Sequence, residues 1–160
     1  MTATATILEI WCLRQSTGTD LGVNQALTGL AAELVPDQLG GAALPDFVRQ
    51  FPGVVEAIDS ARSDPDDLYM TAGTEPGVEN AIWPGGGATI PMAADQSKSP
   101  QVTVEFDFSQ NISLWDKDVF SDDHMGSIKI KESERGQGEQ IKLAKSDVES
   151  SYYFITYQVD

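Results

Sequence analysis

A single cysteine, Cys12, stands in a chain of 160 residues, so no internal disulfide can hold the fold. A hydrophobic core must do that work, with a metal ion as the one other staple the composition allows. Positive charge is scarce as well, with ten Lys and Arg against 25 Asp and Glu and a net charge of −15. A field of that sign repels the phosphates of nucleic acid and the headgroups of anionic lipid, and direct nucleic-acid binding is excluded as an expectation. A bound divalent cation is the exception, because it reverses the local sign. One histidine and one cysteine make no zinc site without carboxylate help. No basic segment followed by an apolar stretch opens the sequence, and no apolar run approaches the roughly 18 residues that span a bilayer. The expected product is cytoplasmic, a description compatible with peripheral membrane association or non-classical export.

What is present reads as one domain over residues 1–160, changing character along its length. From Thr4 to Leu13 the residues are β-branched or apolar, which suits a buried strand. Residues 22–61 read as a helical insertion at one end of the domain. Its first helix is expected over 24–35, with Leu27, Leu30, Ala31 and Leu34 on one face, and its second over 44–61, broken or kinked at Pro52. Beyond Ser63, seven short strands alternate with Gly, Pro and Asp turns, at 67–72, 79–83, 88–92, 101–108, 112–115, 127–131 and 152–159. With the first strand they make eight. The expected fold class is all-β, an eight-stranded antiparallel sandwich with a two-helix insertion between its first two strands.

The most informative segment runs from Leu114 to Gly126 and crowds Asp116, Asp118, Asp122 and Asp123 into eight residues between two strands. Such crowding costs energy unless it is neutralised. Carboxylates are hard ligands, and calcium accepts six to eight oxygens in flexible geometry, so the loop suits Ca2+ better than zinc or magnesium. A solvated, charge-rich turn is the plain alternative. An EF-hand counted from Asp116 fails, for Ser121 stands where that loop needs Gly and Ser127 where it needs Glu.

In its order of residues this segment resembles the third calcium loop of C2 domains, eight-stranded sandwiches that bind calcium and often phospholipid. Trp115, Asp116, Asp118, Ser121, Asp123, Met125 and Gly126 fill the places of that loop. Upstream, Ser63-Asp64-Pro65-Asp66-Asp67-Leu68-Tyr69 is similar to the family segment that leads from the first calcium loop into the next strand. The resemblance implies a Ca2+ site of Asp67, Asp116, Asp118 and Asp123, with Asp122 as the alternate to Asp123, Asp64 as the alternate to Asp67, and Asp20 as a further candidate. Phe120, at the loop tip, and Trp83 are the candidate membrane or partner contacts. The third loop is one residue shorter than the family spacing, and the first carries an insertion of about forty residues. The family's polybasic strand has no counterpart, since residues 1–97 hold only Arg14, Arg49 and Arg62 as cations.

The implied function is a calcium-dependent binding module, in which the loop carboxylates hold an ion that bridges to a phospholipid membrane surface or a protein partner. The competing reading is a calcium-stabilised structural or interaction protein, such as an accessory subunit of a larger assembly or toxin, without lipid binding. An enzyme is not expected. His124 has no nucleophile motif around it and reads as a surface loop residue whose acidic neighbours raise its pKa, and Cys12 reads as a small apolar strand residue.

Overall fold

A computed structural model of the chain describes residues 2–62 and 64–160, leaving Ser63 of the upstream motif outside the described residues. Two antiparallel sheets face each other. The first is built on β1 (Ala3–Arg14), which pairs along one edge with β11 (Ser151–Val159). Along the other edge it meets β7 (Val102–Phe106) and β6 (Gln96–Lys98) in turn. Outside β11 lies β10 (Glu139–Ser146), and outside that the two-residue β2 (Glu33–Leu34). In the second sheet β3 (Asp66–Ala72) pairs on one side with β4 (Ala81–Trp83) and β5 (Ile90–Met92), and on the other with β8 (Ser109–Asp116), which pairs with β9 (Asp123–Lys131). The eight expected strands are present and three more join them. β10 escapes the sequence because its face toward the second sheet carries Lys142 and Ala144, not large apolar residues.

The sandwich core follows from strand alternation. Ile7, Ile10 and Cys12 of β1 and Tyr153, Ile155 and Tyr157 of β11 meet Leu68, Met70, Ile112, Leu114, Ile128 and Ile130 from the facing sheet, all buried. The opposite faces of β1 and β11 are buried too. Trp11, Leu13, Tyr152 and Phe154 pack under the insertion against Leu27, Leu34, Leu44, Val48, Val54 and Ala57, with Trp11 and Phe154 stacked at 5.9 Å. The insertion is therefore a third layer over the first sheet, not an excursion from one end of the sandwich. At about 25 cal/mol per Å2, apolar faces of this size make that layer part of the fold's stability.

Within the insertion α1 is Leu21–Ala26, α2 Leu44–Val48 and α3 Val54–Asp59, so the break expected at Pro52 is present. The helix expected over 24–35 is shorter. Leu27 and Leu34 are buried as their spacing suggests, yet the chain leaves the helix and Leu34 pairs with Ile141, while the Leu143 amide donates to the Ala32 carbonyl at 2.9 Å. The exposed edge of β10 needs backbone partners, and Gly29 weakens the competing helix.

Arg14 ties this layer to the sandwich. Its buried guanidinium donates to the Ala57 carbonyl and, at 2.9 Å, to Ser60 Oγ, and stands 3.7 Å from Asp20. Replacing Arg14 by Ala removes these bonds and strands the Ala57 carbonyl, and should cost about 2–3 kcal/mol in urea unfolding. Limited proteolysis should then cut within 22–61 sooner than in the parent protein, and an unchanged cleavage pattern would contradict this anchoring.

Candidate functional site

The acidic residues converge where β3 begins, β8 ends and β9 begins. Asp116 ends β8, and its Oδ1 accepts the Asp67 amide at 2.7 Å, while the Lys117 amide donates to the Asp67 carbonyl at 2.9 Å. These bonds hold the two loop roots together. The β8–β9 loop then folds on itself: the Asp118 amide donates to Asp122 Oδ1 at 3.1 Å, and the Val119 amide to Asp118 Oδ1 at 2.6 Å. Asp122 also accepts the Tyr69 hydroxyl, which in turn accepts the Gly77 amide at 2.8 Å. At the tip Val119 is 88% and Phe120 98% exposed, so neither side chain folds back onto the loop.

Between Pro65 and Asp67 lies a carboxylate the sequence reading passed over. Asp66 is buried, accepts the Ser16 amide at 3.0 Å and the Ser16 hydroxyl at 2.6 Å, and takes a further bond from the Tyr153 hydroxyl. Its neighbours Pro65 and Asp67 gave no sign of this; the signal was the strand register, which points residues 66, 68 and 70 inward. Burial raises its pKa against the pull of these donors.

The electrostatics couple the group. Burial pushes Asp116 up to about 7, opposed by the Asp67 amide and reinforced by the charges of Asp66, Asp67 and Asp123. Burial raises Asp123, with Asp118 and Asp122 adding to it, and burial raises Glu149, with Asp123 and Asp66 adding to it. Among the described residues none of these seven carboxylates forms an ion pair. The other two candidates are neutralised elsewhere: Asp20 caps α1 through the Val23 amide beside Arg14, and Asp64 pairs with Arg62 at 3.1 Å. As the side chains stand, no three Asp, Glu, His or Cys among the described residues are grouped closely enough to ligate one metal ion. The donor set is nonetheless all hard oxygen, the chemistry of calcium and not of zinc.

Trp83 pairs with Met70 at the edge of the second sheet and packs against the sandwich core. His124 Nε2 stands as the donor at the head of a chain of fixed order. Ser113 Oγ gives its hydrogen to the Gly73 carbonyl at 2.6 Å, so it accepts from Ser127 Oγ at 2.7 Å, and Ser127 accepts from His124 Nε2 at 2.7 Å. An imidazole placed to donate to a serine cannot draw that serine's proton. Its pKa is lowered by burial, against the expected rise from acidic neighbours.

Solved structures of C2 domains resemble this chain. One covers 100% of it and 99% of its own length at 8% identity and a TM-score of 0.44. A second, a calcium-bound pair of C2 domains from extended-synaptotagmin 2, matches 99% of this chain over 45% of its own at 11% identity and a TM-score of 0.44. A C2 domain protein from Ramazzottius varieornatus matches 99% of the chain over 86% of its own at 10% identity and a TM-score of 0.33. No family model matches, and no curated protein does. On the order and pairing of its own strands the fold is an antiparallel β-sandwich of two sheets. Among the described residues no helix is long and apolar enough to cross a membrane.

Proposed function

We propose that the protein is a calcium-dependent binding module whose ion sits among the carboxylates at the roots of the β3 and β8–β9 loops. The observation that carries this reading is the set of seven coupled carboxylates with no cation paired to any of them among the described residues. Like charges so placed repel one another, and a divalent ion removes the repulsion. Asp67, Asp116, Asp118 and Asp123 would hold it, with Asp122 in reserve; Asp66, whose oxygens are taken by Ser16 and Tyr153, would supply field and not a bond. The loop oxygens now bonded to loop amides would turn to the ion as the loop rearranges.

The partner this reading favours is an anionic phospholipid surface. Calcium reverses the local sign, and the exposed Val119 and Phe120 beside it are the side chains that would enter the headgroup layer. No catalysis is assigned to the protein; the hydrogen-bond order keeps His124 Nε2 from drawing the Ser127 proton. Vesicles containing phosphatidylserine should sediment the protein in calcium and not in chelator, and Phe120→Ala should weaken this about tenfold, the effect of losing roughly 1.4 kcal/mol of apolar contact. Calcium binding without vesicle binding would assign the ion a structural role instead.

A further inference from the structure

We propose that the chain associates head to tail with a second copy of itself, the β8–β9 loop of one copy seating in a basic cavity at the far end of the same hairpin in the next. The proposal shares a loop with the calcium reading but does not need the ion, and its assay is run in chelator so that either can fail alone.

The hairpin carries acids at one end and cations at the other. Asp116 pairs with Asp123 at one end of the β8–β9 ladder and Ser109 with Lys131 at the other, eight residues and about 25 Å along β8. At that second end a cavity of about 650 Å3 is lined by Phe108, Lys129, Lys131, Glu132 and Arg135. Lys129 and Lys131 lie on the same outward face of β9, are exposed, and form no ion pair among the described residues. Lys129 and Lys131 together outweigh Glu132, the one carboxylate among the lining residues. In a chain of net charge −15 this is a local reversal of sign.

Phe108 makes the cavity more than a patch of lysines. It is 84% exposed and sits at φ +64°, a left-handed conformation that a side chain of this size rarely takes. Two bonds fix it there: its amide donates to Glu132 Oε2 at 3.0 Å, and its carbonyl accepts the Glu132 amide at 2.9 Å. An apolar ring is thus held out to solvent beside cations.

The occupant of matching chemistry is on the same molecule. The loop tip presents Val119 and Phe120 between Asp116, Asp118, Asp122 and Asp123, four acids against Lys117. Apolar tip meets apolar ring, and acidic rim meets basic rim. The two surfaces lie at opposite ends of the hairpin, so a copy cannot satisfy itself, and each contact joins the loop of one copy to the cavity of another.

The test is the mass of the full chain in solution by sedimentation, across a range of concentrations in chelator. At about 0.1 M salt the Debye length of roughly 10 Å screens repulsion between the two bodies while sparing charges in contact. The mass should rise with concentration there. Val119→Ser with Phe120→Ser blocks the loop, and Lys129→Glu with Lys131→Glu blocks the cavity; all four side chains are exposed, and each double variant should stay monomeric. Mixed, the two variants should form a species of two copies and no larger, because one intact loop meets one intact cavity. A monomeric parent protein, a mixture that stays monomeric, or variants that associate like the parent would overturn the proposal. So would a monomer that binds phosphatidylserine vesicles in chelator through Lys129 and Lys131, which would give the cavity to a membrane.

Discussion

Gly126→Ala is expected to destabilise the protein by about 3–5 kcal/mol, the range of severe backbone and packing conflicts, lowering Tm by roughly 10 °C. At this position in β9 the backbone has φ +140°, and a Cβ would collide with the Lys145 nitrogen and lie 2.5 Å from the Ala144 carbonyl carbon. These atoms are the backbone of β10, on the other sheet, and cannot swing aside as a side-chain end would. Here the two sheets approach closely, and the residue facing the glycine is the small Ala144. Gly136→Ala is the control. It too has a positive φ, +76°, but its Cβ would meet open space, so about 1–2 kcal/mol is expected. Urea unfolding of the two variants measures the difference, and a Gly126→Ala protein as stable as Gly136→Ala would contradict the close approach.

The second large effect concerns Asp116 in the absence of metal. A carboxyl group whose pKa is raised on folding holds its proton more tightly in the native state than in the unfolded chain. Its contribution to stability is whole below the unfolded value of about 4 and is lost as pH rises toward the folded value of about 7. In chelator, therefore, the protein should melt at a lower temperature at pH 8 than at pH 5, and the overall negative charge acts in the same direction. Asp116→Asn removes the ionisation while keeping an oxygen for the Asp67 amide. The Asp116 side chain is only partly buried, so solvent screening leaves about 1 kcal/mol of the shift as stability. At pH 8 in chelator the variant should melt about 2–4 °C above the parent, and at pH 5 no higher. A variant that melts lower at both pH values would mean the carboxylate is stabilising as it stands. A substitution that stabilises the metal-free protein while removing calcium binding is the signature of a side chain kept for a ligand and not for the fold.

How far the sequence was readable depended on whether local chemistry and tertiary need agreed. In β1 and β11 they agreed: Trp11 and Leu13, and Tyr152 and Phe154, gave both strands a second apolar face, and the insertion covers it. In the segment after Ala26 they disagreed, because helical spacing placed Leu27 and Leu34 correctly inside while the open edge of β10 drew Leu34 into a strand. The acidic loop was readable from composition alone. What composition could not give was the partition among neighbours: Asp66 turns inward to Ser16 and Tyr153, Asp67 stays exposed and offers its amide to Asp116, and Asp64 and Asp20 find arginines. The strand expected over 101–108 included Phe108, but β7 ends at Phe106, and the turn that follows leaves the ring exposed.

The central claim is that the coupled carboxylates hold calcium, and a calorimetric titration of the metal-free protein tests it most directly, run on the parent and on Asp116→Ala with Asp118→Ala. The account predicts saturable heat on adding calcium to the parent and none with the double variant, and a parent stabilised by about 2.7 kcal/mol when calcium stands at 100 times its dissociation constant. No heat from the parent, or the same heat from the double variant, would contradict it and leave the cluster a solvated acidic turn.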